Sequence, residues 1–258
     1  MRVLDNDLDF FLHSTYHGIP TPNERLDADR YAPWDLDKVI QFLTDNCRLT
    51  GPLPGVALER HNELFFWWRD RINDGRLVPP FSVTHIDGHA DLGLGDTGYF
   101  YWMTQLLHMD VAQRPYAPEI ADHLKEGNFL AFAIACQWLS NLTYVRNEPF
   151  GDPVPWYSSQ HTGPTDILKY VMKDKDVDSG AIQLYAIDPQ TPRLKVSNAE
   201  PVHLESEVPF RYMHWPEYVA DEPFDVICLV RSPEYTPEAS DRLYAEIKER
   251  FIDETAWC

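Results

Sequence analysis

The sequence predicts an α/β domain built on a mainly parallel central sheet. Short apolar, β-branched runs alternate along the chain with segments whose apolar residues recur at helical spacing. The residues capable of chemistry collect where the apolar runs end, as they do at the carboxyl edge of open parallel sheets. The 258 residues suit one large domain. No dinucleotide fingerprint, phosphate loop, internal repeat or interdomain linker interrupts them, so residues 1–258 read as a single domain.

Arg2-Val3-Leu4 is a short apolar run, and Leu8, Phe10 and Phe11 continue it, so we expect the N-terminus to be held in a sheet. Alternation would place Asp5, Asp7 and Asp9 on one face. The segment from His13 to Asp29 reads as irregular, with Gly18, Pro20 and Pro22 beside His13 and His17. Pro33 to Leu43 reads as a helix: the proline falls near its first turn, and Leu36, Val39, Ile40 and Leu43 form one stripe. Gly51 to Gly55 reads as a turn, then Val56 to Arg60 as a strand. His61 stands at a strand-to-helix junction, and Leu64 to Arg69 favour a helix. After an Asp74-Gly75 turn, Phe81 to Ile86 reads as the central buried strand. Leu92 to Gly98 is glycine-rich and suits a loop at a site, and Tyr99 to Asp110 is aromatic and amphipathic. Phe129 to Leu139 reads as a buried helix opened by Glu126-Gly127-Asn128. Pro149 to Thr165 is rich in glycine and proline and suits a rim or lid. Ala181 to Ile187 and Phe224 to Val230 read as strands, and Ala239 to Ile252 as the closing helix; residues 190–220 carry no clear pattern.

The chemistry centres on Asp87-Gly88-His89-Ala90-Asp91, directly after the central strand. Period two would set Asp87, His89 and Asp91 on one side of an extended segment. Carboxylate and imidazole donors suit a divalent ion such as manganese, iron or zinc. The N-terminal acids form a second arm for the same ions, since carboxylates clustered without a cation repel one another. His61 supplies a further donor at a strand end.

The formal net charge is -19, from 41 acidic and 22 basic residues. That balance disfavours nucleic acid and acidic membranes and is compatible with a cationic partner. No run reaches the roughly 18 apolar residues of a membrane span. The start lacks the apolar core of a signal peptide. The four cysteines have neither metal-site spacing nor a disulfide pattern. A cytoplasmic protein is expected, and a homo-oligomer is compatible with the sequence.

These motifs resemble the arginase and deacetylase superfamily, and within it the peptide arginases of ribosomal peptide natural-product pathways. Asp87-Gly88-His89-Ala90-Asp91 resembles the family's central metal motif, and His61 matches the histidine at the end of the preceding strand. Asp5-Asn6-Asp7 resembles its late Asp-x-Asp motif, and Ser232-Pro233-Glu234 its last strand-end motif. In ordinary arginases Asp-x-Asp follows the central motif, whereas here it comes first, as if the chain were circularly permuted. The resemblance implies a three-layer arginase-like fold and two divalent ions, manganese foremost. It implies metal ligands Asp5, Asp7, His61, Asp87, His89 and Asp91, with Asp87 bridging. Asp5 and Asp7 are preferred because they directly follow Val3-Leu4; Asp7 with Asp9 is the competing register. Glu234 is the expected clamp for a guanidinium, through charge-assisted hydrogen bonds. For the proton relay, His108 and His161 lead, followed by His13 and His17.

The implied reaction is hydrolysis of an arginine side chain within a precursor peptide, through a metal-bridging hydroxide, to ornithine and urea. Trp156 and Tyr157 could pack against such a peptide. Three alternatives stand beside this one. The first is a ureohydrolase or amidohydrolase of a free guanidino or acetylated metabolite. The second is a metallophosphoesterase, for which Gly95-Asp96 and Gly127-Asn128 are superficially suggestive, although Phe129 stands where a histidine is required. The third is a non-catalytic, metal-containing peptide-binding protein.

Overall fold

A computed structural model describes residues 1–93, 98–147, 169–170 and 179–257. Its centre is a nine-stranded sheet. The strands are β1 (Arg2–Asp7), β2 (Leu53–Leu58), β3 (Phe81–Ile86), β4 (Leu139–Arg146), β5 (Lys169–Tyr170), β6 (Ser179–Gln183), β9 (Val208–His214), β10 (Val226–Val230) and β11 (Ile252–Asp253). A separate short ribbon pairs β7 (Tyr185–Ala186) with β8 (His203–Leu204). The sheet order is β11-β2-β10-β1-β3-β4-β9-β6-β5. The run from β11 to β9 is parallel throughout, and only the β9-β6 and β6-β5 pairs are antiparallel.

The helices are α1 (Leu36–Gln41), α2 (His61–Asn73), α3 (Gly98–Thr104), α4 (Ile120–His123), α5 (Phe129–Ala135) and α6 (Asp241–Phe251). The pleat of the strands distributes their apolar residues between two cores. Val3, Val83, Val226 and Cys228 join Leu64, Phe65 and Trp68 of α2 and the whole apolar length of α5 on one side. Leu4, Ile86, Val145, Ile227 and Leu229 join Val39 of α1 and Leu243, Ile247 and Phe251 of α6 on the other. The expected α/β class with a mostly parallel sheet flanked by helices is therefore present. Among the described residues no helix is long and apolar enough to cross a membrane.

Several elements differ from expectation. The strand foreseen at Val56 to Arg60 begins at Leu53 and ends at Leu58, so Gly55 is a strand residue and not a turn. The buried helix stops at Ala135, and Leu139 begins a full sheet strand. Gln137, with φ of 57°, makes the reversal between them. The patternless residues 190–220 contain β9. Its Pro209 argues against a central strand, but pairing with β4 starts only at Phe210. The foreseen closing helix ends at Phe251, and its last expected residue, Ile252, forms the edge strand β11 with Asp253. The segment foreseen as a rim or lid, Pro149 to Thr165, lies outside the described residues, as do Gly95 and Asp96.

Candidate metal centre

β1, β2, β3 and β10 lie side by side and parallel, so their carboxyl ends open on one edge of the sheet. β1 delivers Asp7 as its last residue. The chain then enters a 3-10 turn over Leu8–Phe11, whose start is fixed by Asp7 Oδ1 accepting the Asp9 backbone N–H at 3.0 Å. β2 leads through Glu59 and Arg60 to His61, the first residue of α2. Glu63 sets that helix start by accepting the backbone N–H groups of Glu59 and Arg60 at 3.2 and 3.3 Å. β10 leads to Ser232, held at φ of 43°, whose hydroxyl donates to Asp7 Oδ2.

β3 delivers Asp87, after which the chain bends. The expected extended arrangement of Asp87, His89 and Asp91 is corrected here. The backbone turns through Gly88 and reaches a left-handed Asp91, φ 48°, a conformation that aspartate tolerates better than most residues. The turn still gathers the three side chains. Gly88 donates its N–H to Asp9 Oδ1 at 3.1 Å, and a Cβ there would stand 2.5 Å from Thr15 Cγ2.

Asp7, Asp9, His61, Asp87, His89 and Asp91 line one cavity of about 230 Å³, together with His17, Glu126, Ser232 and Tyr235. His61 Nδ1 faces Asp7 Oδ2 at 3.0 Å, Asp91 Oδ2 at 3.1 Å and Asp87 Oδ2 at 3.2 Å. His89 Nδ1 faces Asp9 Oδ2 at 2.9 Å and Asp87 Oδ1 at 3.7 Å. A single ring nitrogen carries at most one proton and cannot satisfy three carboxylates. Despite the approach of His61, Asp87 Oδ2 is buried and receives no hydrogen bond among the described residues. A cation among these donors resolves both deficits.

The outer nitrogens support the same reading. His61 Nε2 lies 3.1 Å from Asp5 Oδ1, and His89 Nε2 lies 2.9 Å from the Tyr16 carbonyl oxygen. Each ring thus has an acceptor for one N–H and turns its other nitrogen to the cluster, the arrangement typical of metal-ligating histidines. These buried Asp and His groups can hold divalent metal ions.

Asp5 and Asp9 belong to different donor groups, Asp5 with His61 and His85, Asp9 with Asp87 and His89. Asp5 is fully buried beneath the cavity and does not line it; it contacts His61 and, at 2.8 Å, His85 Nδ1. Asp9 lines the cavity in its place. The reason is local: β1 ends at Asp7, and the 3-10 turn swings Asp9 back toward Asp87 and His89. His108 is exposed on a 3-10 turn away from the cavity, with Nε2 donating to the Ile187 carbonyl oxygen at 2.8 Å. It is not among the residues that line the cavity. His161 lies outside the described residues. His17, ranked behind them, does line the cavity, its ring 5.5 Å from that of His89.

Glu234 is buried beside the centre without lining its cavity, and its Oε1 is paired with Arg60. Three residues escaped notice in the sequence: His85, Glu126 and Arg60. The only signal for His85 was a histidine inside an apolar strand two residues before Asp87. Nothing local marked Glu126 or Arg60 among the many charged residues of the chain.

The electrostatics are those of a crowded carboxylate cluster. Burial raises the Asp87 carboxyl to about 7, and the charges of Asp9, Asp91 and Asp7 add to the shift. Asp7 is raised by burial and by Asp9. Burial would also raise Asp5, but His61 and His85 outweigh it and hold the group at about 2. Burial opposes protonation of His61 and His89, yet the surrounding carboxylates push both well up. Burial, reinforced by Glu126 and Asp91, raises the Tyr235 phenol to about 12. Burial raises Glu126, whereas Arg60 outweighs burial at Glu234 and lowers it.

Compared with models of known protein families and with curated proteins, the chain finds no match.

Proposed function

We propose that this chain is a dinuclear, metal-dependent hydrolase of the arginase type that converts arginine within a peptide to ornithine and releases urea. The observation that carries this reading is the pair of donor groups meeting at Asp87. His61, Asp7 and Asp91 stand on one side of it, and His89 with Asp9 on the other. That arrangement suits two ions sharing Asp87, with manganese favoured by the oxygen-rich donor set. It also supports the permuted arginase-like reading of the fold. Although Asp-x-Asp comes first in the chain, β1 sits between β10 and β3, so the N-terminal acids lie against the central motif regardless of chain order. The register we favour is Asp7 with Asp9.

When bound, two divalent ions supply Lewis acidity and a water acidic enough to attack at neutral pH. The protein's own residues supply the rest. Among the described residues the lining is acidic and contains no lysine or arginine, which favours a cationic side chain. Glu126 and Glu234 hold positive charge at the rim, where Arg60 already bridges them. His17 has the position to move a proton at its imidazole between the cavity and bulk water, being exposed at its mouth. Ser232 fixes the Asp7 carboxylate, and Asp5 fixes the His61 ring. The preference for a peptide over a free metabolite, and the cytoplasmic setting, rest on the sequence resemblance.

The test is urea release by the purified chain with manganese, offered an arginine-containing peptide, free arginine and agmatine at equal concentrations. A phosphoester and an acetyl-lysine peptide serve as controls. Urea and a peptide carrying ornithine are expected, with the highest kcat/KM for the peptide. Asp87→Asn should lose at least one ion and nearly all turnover. Full metal content and activity in that variant would sink the site; higher kcat/KM for a free compound would sink the peptide assignment.

A further inference from the structure

Arg60, the residue immediately before α2, places its head between two acids. Its Nη1 donates to Glu126 Oε1 at 2.9 Å, and its Nη2 donates to Glu234 Oε1. Glu126 belongs to the wall of the acidic cavity. Glu234 lines a second cavity of about 240 Å³ with Asn23, Glu24, Arg25, Arg60 and Pro233. The Arg60 side chain is 41% exposed and that of Glu234 only 7%, so the guanidinium can leave while the carboxylate stays.

Two features make this more than a surface ion pair. One guanidinium serves two carboxylates, leaving the group one positive charge short. The shortfall is located: Glu234 Oε2 is buried and has no hydrogen-bond partner among the described residues. Arg25, the other cation in that cavity, is committed to Asp241 and to the Thr236 and Pro237 carbonyl oxygens. A buried carboxylate oxygen without a donor is costly. A planar cation with several N–H groups is the ligand that repairs it.

We propose that Arg60 is an internal stand-in which occupies the expected guanidinium clamp at Glu234 and competes with the substrate's guanidinium for it, and that Glu126 is the second carboxylate of that subsite. At rest Arg60 bridges the two carboxylates; an incoming guanidinium takes over Glu126 Oε1 and supplies the missing donor at Glu234 Oε2. Glu126 then selects for positive charge at the cavity wall, and Arg60 sets the threshold that a ligand must exceed. The inference rests on the reading of a cationic substrate but not on its hydrolysis.

The opposite role for Arg60, a clamp that shapes the two acids for the ligand, predicts the opposite sign, which makes the test decisive. Binding of a short peptide with a central arginine to the manganese-loaded chain is measured by calorimetry, beside the same peptide carrying neutral citrulline. Metal content is measured in every variant. Arg60→Ala should tighten the arginine peptide severalfold without changing the citrulline peptide. Glu126→Gln should weaken the arginine peptide by about tenfold, the scale of one charge-assisted hydrogen bond, with metal content intact. In the double variant the gain from Arg60→Ala should shrink, because the contested carboxylate is gone. Unchanged or weaker arginine-peptide binding in Arg60→Ala overturns the proposal, even if urea is released. Binding that follows the expected pattern while no urea appears would instead overturn the hydrolase reading and leave this subsite standing.

Discussion

Asp5 and Asp9 are chemically identical side chains with different tasks, and the difference is set by where one strand ends. Asp5, inside β1, faces the ring nitrogen of His61 that points away from the cluster. Asp9, beyond the strand, faces the His89 nitrogen that points into it. If the chain holds two ions as proposed, Asp9→Asn should therefore cost about one of them, the one assigned to His89 and Asp87, while the His61 side stays loaded. Asp5→Asn should keep both ions but lower their affinity by roughly 10–100-fold, the usual effect of losing an outer partner of a ligating histidine. Metal analysis with chelator competition separates the two. If Asp5→Asn loses a whole ion and Asp9→Asn loses none, the register is reversed. The sequence made all three N-terminal acids visible, because alternating Asp residues beside apolar ones are conspicuous. It could not choose the register, because Leu8, Phe10 and Phe11 fit a continued strand as well as a turn. Nor could it reveal Arg60 and Glu126, whose pairing spans 66 positions.

At the scale of elements, the strands that carry ligands were legible, and the strands that widen the sheet were not. β3 and β10 are buried on both faces and read as continuous apolar runs. β4 follows a helix that is itself apolar throughout, so periodicity could not locate the change. Gly55 shows what parallel packing demands of the sequence. It pairs with Ile227 across β2 and β10, and a Cβ there would stand 1.9 Å from the Ile227 carbonyl oxygen. Gly55→Ala should destabilise the chain by about 1–3 kcal/mol or more, as overpacking does, because backbone must move. Urea unfolding measures it; an unchanged midpoint would show that the two strands separate freely.

A second element-scale device lies outside the lining of the candidate metal cavity. Arg114, buried after the α3 region, donates to the Ala135, Leu107 and Met109 carbonyl oxygens and, at 2.7 Å, to Glu205. Gln137 also donates to Glu205, at 2.9 Å. Burial would raise the Glu205 carboxyl, but these donors outweigh it and lower the group below its ordinary 4.5. A depressed folded value means stabilisation that is complete above the ordinary value and is lost as pH falls through the folded one. Glu205→Gln should cost about 3–5 kcal/mol at neutral pH, because a buried guanidinium loses its counter-charge. The gap between wild type and variant should close as pH drops below 4.5. A gap that is the same at neutral and strongly acid pH would show that shape, not charge, holds this contact.

The molecule as a whole carries a net charge of -19 and folds four carboxylates into one buried cluster: Asp7, Asp9, Asp87 and Asp91. Concentrating like charge away from water opposes folding unless protons or cations enter with it. Anything that binds only the folded chain stabilises it, by about 4 kcal/mol when present at a thousand times its dissociation constant. For a chain of this length that corresponds to a rise in Tm on the order of ten degrees. Manganese should therefore raise the Tm by that order, and a chelator should reverse the rise. Asp87→Asn removes the carboxylate proposed to be shared by the ions and should abolish most of the metal-dependent rise. It also removes one of the crowded charges, so without metal its Tm should equal or exceed that of the metal-free wild type. The crossing of the two orders is the decisive feature, because simple loss of packing would lower the variant's Tm with and without metal alike. Equal destabilisation under both conditions would mean that the cluster is held by its hydrogen bonds alone, and that no cation is part of the folded state.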